Sequence, residues 1–116
     1  MSPEAQKFAQ ALLDHHSRVC RPRNQASTDL DVFLIAYGDL CERAGLSHQK
    51  PNVGKFLREV AQWCHDSGWP PLNALAVNHD THRPGHGYDT APGCSLAHWQ
   101  EELAVCVKFA DYPDVI

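Results

Sequence analysis

Residues 53–65 read VGKFLREVAQWCH, and this stretch carries most of the information about the fold. Its apolar side chains recur at the i, i+3, i+4, i+7 and i+11 spacing of one helix face, occupied by Val53, Phe56, Leu57, Val60 and Cys64. Pro51 and Asn52 precede the stretch as residues typical of a helix start, and Ser67 and Gly68 supply a stop. The spacing therefore predicts a long helix with one buried face.

Helical patterns also occur on both sides of this segment. Residues 3–20 have one apolar face, with Ser2 as a candidate N-cap and Pro22 as a stop. Residues 31–44 are ambiguous, because residues 32–35 favour an extended piece while Thr28 or Asp29 is placed to cap one continuous helix. In either case we expect a helical turn over residues 38–44, ended by Gly45.

The C-terminal third predicts two short strands and a last helix. Residues 72–77 favour a strand, residues 78–87 are rich in turn formers, and Tyr88 opens a candidate return strand. Ser95 is placed to cap the last helix, which ends at Tyr112 and Pro113. The apolar stripe of this helix contains Leu96, Trp99, Leu103, Cys106, Val107 and Ala110.

The order of elements is helix, short helix, long helix, strand, loop, strand, helix. This order predicts a mostly helical α+β protein that is winged helix-turn-helix-like, with a small β-hairpin and a C-terminal helix. Residues 45–51 would form a turn longer than the tight form of that motif. One domain is expected to cover residues 1–116, since this length is typical of a single domain.

Composition excludes several classes of protein. Apolar residues make up 43% of the chain and charged residues 21%, a balance typical of soluble globular domains. The longest apolar run, residues 32–37, is far shorter than the roughly 20 residues of a membrane-spanning helix. Residues 1–4 lack the features of a signal peptide, so we expect a cytoplasmic protein with reduced cysteines. Cys41, Cys64 and Cys106 are predicted to be buried and unpaired.

Two motifs carry a resemblance to a known group of proteins. Residues 37–40 read YGDL, and residues 68–78 and 84–88 read GWPPLNALAVN and PGHGY. Across residues 32–88 the chain resembles a small bacterial and phage domain, similar in outline to the DNA-binding half of alkyltransferase-like proteins. The resemblance implies a winged-helix DNA-binding domain of a bacterium or a mobile element.

The chain departs from that family at the positions that perform its chemistry. Leu72 follows the proline after which alkyltransferases place their reactive cysteine, so alkyl transfer is not implied. Residues 52–54 match the start of the family's recognition helix only in part. Pro51 stands where the family has the arginine that replaces a flipped base, so base flipping is not implied either.

Polar side chains on the outer face of the long helix are candidates for DNA contacts. Recognition helices use such side chains to reach phosphates and base edges, although Glu59 and Asp66 dilute the charge and a solvated face would look the same. The loop after residue 78 either reaches a minor groove or is merely polar. The candidate DNA-binding residues are Lys50, Lys55, Arg58, Gln62, His82 and Arg83.

Evidence for a metal site or an active site is weak. The spacing of His79, His82, His86, Cys94 and His98 is tolerable for zinc, but no CxxC pair anchors the site, so we expect no metal and no other cofactor. None of the common catalytic motifs is present. Cys94 follows Gly93 at a predicted helix start that would lower the pKa of the thiol, but the favoured interpretation is an inert loop thiol before a capped helix. We therefore predict no enzymatic activity and no catalytic residue.

The leading hypothesis is a non-enzymatic protein that associates with double-stranded DNA. The alternative is a small acidic inhibitor that binds a defence nuclease, of the anti-CRISPR or anti-restriction type. A net charge of −4 favours this protein partner, as would exposure of Trp69 and Tyr88. Neither hypothesis involves a membrane.

Overall fold

The computed structural model describes residues 1–21 and 29–116. Within these ranges the chain is mostly helical. The α-helices are α1 (Pro3–His15), α2 (Tyr37–Arg43), α3 (Val53–Asp66) and α4 (Trp99–Lys108), and the strands are β1 (Ile35–Ala36) and β2 (Ala76–Val77). A π-helical turn, His16–Cys20, continues α1, and 3-10 turns span Leu30–Phe33, Ser47–Asn52, Leu72–Leu75, His86–Thr90 and Leu96–His98. Pro22 and Thr28, the candidate stop and cap, lie outside the described residues.

Helices α1 and α3 pack against each other at the centre of the core. The Phe8 and Phe56 rings stack with their centroids 5.5 Å apart. Ser2 caps α1 as expected, since its Oγ accepts a hydrogen bond from the Ala5 N–H. The Ser2 backbone N–H and Oγ also donate to the two carboxylate oxygens of Glu59 at 2.8 and 2.9 Å. The start of α1 is thereby tied to the middle of α3.

The predicted apolar stripe of α3 is confirmed. All five of its residues are buried, none more than 8% exposed. Gly68 follows the helix with φ at +75°, a left-handed conformation that ends helices and favours glycine. Asn52 directly precedes the helix, but its side chain does not cap it and instead donates to Gln49 Oε1. The predicted N-cap interaction is therefore wrong, although the helix boundary is correct.

The segment before α2, for which the sequence allowed either an extended piece or a continuous helix, contains a short piece of each. A 3-10 turn ends at Phe33, two residues form β1, and α2 begins at Tyr37. Gly45 ends this part of the chain with φ at +72°, as predicted. The segment is therefore neither one continuous helix nor a long strand.

The two strands pair in parallel, with Ile35 opposite Ala76 and Ala36 opposite Val77. Parallel strands require a crossover, which α2 and α3 supply. The predicted strand over residues 72–77 is correct only for its last two residues, because residues 72–75 form a 3-10 turn.

The predicted return strand at Tyr88 is wrong, and the described ranges contain no β-hairpin. Tyr88 lies in the 3-10 turn His86–Thr90, and its hydroxyl donates to Glu102 Oε1 at 2.6 Å. The chain still reverses direction after β2, through a turn in which the Asn78 N–H donates to the Arg83 carbonyl oxygen at 2.8 Å. Pro84 then interrupts any ladder, because it has no N–H to donate.

Helix α4 begins later than predicted. Ser95 precedes the 3-10 turn Leu96–His98, and its side chain makes no capping hydrogen bond. Two carboxylates take over this role, since Asp89 Oδ1 accepts from the Leu96 N–H and Glu102 Oε1 accepts from the Ser95 N–H. The helix ends at Lys108, so Ala110 lies outside its apolar stripe and is exposed.

The cysteines are free, and the three predicted to be buried are buried. Cys41, Cys64 and Cys106 are at most 1% exposed, and Cys20 is also buried. Burial raises the pKa of Cys64 to about 11 and that of Cys20 to about 12. These thiols therefore behave as small apolar groups.

No helix of the described ranges is both long enough and apolar enough to cross a bilayer.

Candidate functional site

The four candidate DNA-binding residues around α3 are exposed, and we call them the basic edge: Lys50, Lys55, Arg58 and Gln62. Lys50 lies in the turn before the helix, and the other three lie on α3. Lys55 Nζ is 5.8 Å from the centroid of the Phe56 ring, and Gln62 Nε2 donates to Asp66 Oδ1 at 2.8 Å. Arg58 Nη1 lies 3.6 Å from the position that a Cβ atom on Gly87 would occupy.

The cations of the basic edge form no ion pair with a carboxylate of the described residues. Among residues 1–21 and 29–116, ion pairs form at Arg21, His79 and His98, and none involves a cation of the basic edge. Glu59 is the nearest carboxylate along α3, and both of its oxygens accept hydrogen bonds from Ser2. The positive charge of this edge is therefore available to an external anion, although the whole chain is acidic.

The loop after β2 places His82 and Arg83 in solvent. His82 has φ at +55°, and its N–H donates to the Asn78 carbonyl oxygen, so the turn is held by backbone hydrogen bonds. The loop then returns to the helices, where the Gly85 N–H donates to the Tyr37 hydroxyl oxygen at 2.9 Å. This contact brings the end of the loop beside the start of α2.

A pocket of about 200 Å³ lies where this loop meets α2 and α3. Its lining is predominantly apolar and includes three glycines. The lining residues are Tyr37, Val53, Gly54, Leu57, Asn73, Gly85, Gly87, Tyr88 and Ala91. The lining therefore includes residues of both sequence motifs quoted above: Tyr37 from residues 37–40, and Asn73, Gly85, Gly87 and Tyr88 from residues 68–78 and 84–88.

Asn73 is a buried polar residue of the pocket lining. It is only 3% exposed, and its Nδ2 donates to Cys94 Sγ at 3.6 Å. Its Oδ1 is buried and has no hydrogen-bond partner among the described residues. An unpaired buried acceptor is rare in folded proteins and costs free energy until a partner binds.

Sequence reasoning did not identify Asn73 or Tyr37 as site residues. Both lie within the motifs quoted above, but Asn73 falls in the strand predicted over residues 72–77, a pattern that does not indicate a role for its side chain. Asn73 is buried because the 3-10 turn Leu72–Leu75 packs between α3 and α4, where the Trp99 indole N–H donates to the Ala74 carbonyl oxygen.

The weak zinc candidates do not form a cluster. Within the described part of the chain, no group of three or more His, Cys, Asp or Glu side chains is arranged to hold a metal ion. His79 instead lies 3.4 Å from Asp80, and His98 lies 3.6 Å from Glu101. The other three zinc candidates, His82, His86 and Cys94, also belong to no such group within the described residues.

Cys94 does not have the activated thiol that its position suggested. Burial raises the pKa of this thiol, so the expected lowering by a helix start is wrong. Its Sγ contacts the Pro92 carbonyl oxygen and the Asn73 amide. A partly buried, protonated thiol is a poor nucleophile.

The aromatic residues expected to favour a protein partner are less exposed than predicted. Tyr88 is buried, and Trp69 is half-buried against Trp63 and Tyr112 in edge-to-face contacts. These rings contribute to the fold, so they do not form an exposed aromatic patch.

Comparisons of the chain with known families, with curated proteins and with solved structures found no match.

Proposed function

We propose that this protein is a non-enzymatic DNA-associating protein whose contact surface is the basic edge and the adjoining loop. The observation that carries the proposal is the set of exposed cations Lys50, Lys55 and Arg58, none paired with a carboxylate of the described residues. Phosphate contacts supply most of the affinity of such proteins, and unpaired surface cations are the groups that make them.

The arrangement of α2 and α3 supports a helix-turn-helix-like interpretation. A seven-residue helix is followed by the turn Ser47–Asn52 and then by a fourteen-residue helix with one buried face. In that motif the second helix enters the major groove, and its first turns carry the base contacts. Lys55 and Arg58 lie in the first turns of α3 and would take this role. Gln62 is engaged with Asp66 and would contribute less.

The loop after β2 would take the place of a wing, although it contains no hairpin strands. His82 and Arg83 are exposed at its turn, and its far end is fixed to α2 through Gly85 and Tyr37. A loop fixed at its base can present a cation to a phosphate or a minor groove at a small entropy cost.

Five free cysteines also support the expectation of a reducing, cytoplasmic compartment.

The net charge of −4 limits the expected affinity. Electrostatic steering towards DNA is weak for an acidic protein, so binding should depend on the local cations and be strongly sensitive to salt. This dependence also separates DNA binding from the alternative of a protein-binding inhibitor.

Fluorescence anisotropy with a mixed-sequence duplex provides the test. We expect measurable binding at ~50 mM salt that weakens steeply towards ~200 mM. The absence of binding at ~50 mM salt would overturn the proposal and leave an acidic inhibitor of a protein as the remaining hypothesis.

A further inference from the structure

We propose that a cleft between α1 and α2 binds a small molecule through its phosphate monoester group. The cleft measures about 480 Å³, within the range of roughly 300–1,000 Å³ that is typical of small-molecule sites. Among the described residues it shares no lining position with the pocket beside the loop. We call it the arginine cleft, and its lining residues are Ala11, Asp14, Ser17, Arg18 and Arg43.

The π-helical turn His16–Cys20 carries one wall of the arginine cleft. The turn is closed by the Arg21 N–H, which donates to the His16 carbonyl oxygen. π-Helical turns are rare and occur frequently at functional sites. Ser17 and Arg18 are exposed in this turn, so their polar atoms are accessible to a ligand in the cleft.

Arg18 and Arg43 bring two guanidinium groups to the cleft from different elements. Arg18 lies in the π-helical turn, and Arg43 is the last residue of α2. Both are exposed, and neither forms an ion pair with a carboxylate of the described residues. Burial lowers the pKa of His15 most, and repulsion by Arg43 and Arg18 lowers it further. The two guanidiniums therefore lie close enough together to act on the same ring.

The charge and shape of these groups favour a phosphate monoester. The planar fork of a guanidinium matches a phosphate group and can donate two parallel hydrogen bonds to it. Two guanidiniums carry two positive charges, and a phosphate monoester carries about −1.5 to −2 at pH 7. The phosphodiester of a nucleic acid carries a single charge. One phosphate group fills only part of the cleft, which leaves room for the rest of a small molecule.

Asp14 is the lining residue that opposes an anion. Its Oδ1 accepts a hydrogen bond from Gln10 Nε2 at 3.1 Å, and it pairs with neither arginine of the cleft. Its negative charge repels a bound phosphate and reduces the affinity. This repulsion provides a variant that should bind more tightly than the parent protein.

Titration of the full chain with ribose 5-phosphate at about pH 7.5, where a phosphate monoester is doubly charged, tests the proposal. We expect saturable NMR shifts at the side-chain Nε–H groups of Arg18 and Arg43, half complete at about 1 mM or below. Dimethyl phosphate, a singly charged diester, should bind at least about fivefold more weakly. Equal affinities of these two ligands, or no saturation at about 10 mM, would overturn the proposal.

Inorganic phosphate separates a phosphorylated molecule from a free ion. It carries the same group without the rest of the ligand, so it should bind more weakly than ribose 5-phosphate. Equal affinity for the two would show that the cleft takes an adventitious ion only, and would overturn the assignment to a phosphorylated molecule.

Two variants of Ser17 separate loss of the site from loss of the fold. Ser17→Asp adds a carboxylate to the cleft at an exposed position and should abolish binding. Ser17→Asn is the matched control, since it has nearly the same size without the charge, and should bind within about twofold of the parent protein. Both should unfold at nearly the same midpoint as the parent. Normal binding by Ser17→Asp would contradict the assigned cleft.

Two variants of arginine separate this cleft from the basic edge. Arg43→Gln should weaken ribose 5-phosphate binding at least about fivefold. Arg58→Gln removes the same charge from the basic edge and should leave the binding unchanged. Equal effects of the two variants would show that the ligand responds only to net charge and would overturn the proposal.

Asp14→Asn should tighten the binding of ribose 5-phosphate about two- to fivefold, because it removes the repelling charge and keeps an acceptor for Gln10. A damaged fold would not produce a gain in affinity. Unchanged or weaker binding would contradict the placement of the phosphate beside Asp14. None of these measurements involves DNA, so the outcome is independent of the proposed DNA association.

Discussion

The backbone N–H of Gly85 donates a hydrogen bond to the hydroxyl oxygen of Tyr37, over a donor–acceptor distance of 2.9 Å. The two residues are far apart in the sequence, in the motifs YGDL and PGHGY. The bond fixes the end of the loop after β2 against the start of α2. It also forms one side of the pocket, since both residues line it. Loop position and pocket shape should therefore change together.

Replacing Tyr37 by phenylalanine tests this coupling. The variant removes the acceptor and leaves the ring, so we expect a loss of about 0.5–1.5 kcal/mol in the free energy of unfolding. The Gly85 amide should exchange with solvent faster, whereas the Trp69 amide, which donates to the Cys64 carbonyl oxygen, should be unaffected. Native-state hydrogen exchange measures both, and an unchanged Gly85 rate would show that the bond does not hold the loop.

Two buried histidines predict loss of stability in acid. His15 Nε2 and His16 Nε2 are bonded to the carbonyl oxygens of Phe33 and Cys106 at 2.7 and 2.8 Å. Burial lowers the pKa of both rings below the ordinary value of 6.5. The unfolded chain therefore binds protons first as the pH falls, and stability decreases from about pH 6.5 downwards until the folded-state pKa values are reached.

Urea unfolding between about pH 7.5 and 5 measures this effect, with a slope of at most about 1.4 kcal/mol per pH unit for each histidine. The double variant His15→Gln and His16→Gln retains a donor at each position but cannot titrate. Its stability should vary less with pH over this range. The same slope in variant and parent would show that other groups cause the acid sensitivity.

Thiol accessibility provides a test of the core. Cys41, Cys64 and Cys106 should react slowly with a thiol reagent in the native protein, because they are buried and their pKa values are raised. Cys94 is only partly buried and should react first. Fast reaction of all five cysteines without denaturant would contradict the described packing.

The glycine that follows α2 can be tested against a glycine within α3. Gly45 has φ at +72°, and a Cβ atom there would meet nothing within 4 Å. Gly45→Ala should therefore destabilise the fold by about 1 kcal/mol through backbone strain alone. Gly54→Ala, at a helical position that is equally open, should stabilise it by about 0.5–1 kcal/mol. Thermal unfolding should therefore show a lower midpoint for Gly45→Ala and a higher midpoint for Gly54→Ala than for the parent protein.

The parts of the fold that depend on local pattern could be predicted from the sequence. The stripe of α3, the stop at Gly45 and the burial of Cys64 each follow from spacing within a few residues. The pairing of Ile35 with Ala76 could not be predicted, because two-residue strands have almost no pattern of their own. The strand predicted at Tyr88 is wrong because the position of this residue depends on a tertiary hydrogen bond to Glu102, which the local sequence pattern does not indicate.

The candidate site was only partly predictable for the same reason. Exposure of Lys55 and Arg58 follows directly from their position opposite the apolar stripe. Burial of Asn73 depends on the packing of α3 and α4 around a short turn. An unpaired buried acceptor such as Asn73 Oδ1 is a property of the assembled structure, and no sequence motif specifies it.

The salt dependence of DNA binding tests the central claim most directly. The double variant Lys55→Ala and Arg58→Ala removes up to two phosphate contacts, each worth about 0.9 in the slope of log K against log salt concentration. The matched control, Arg18→Ala with Lys108→Ala, removes the same charge from exposed positions outside the basic edge. We predict that the slope falls by about two units in the first variant and is unchanged in the control. Equal slopes in the parent protein and both variants, or no duplex binding by the parent at ~50 mM salt, would contradict the account.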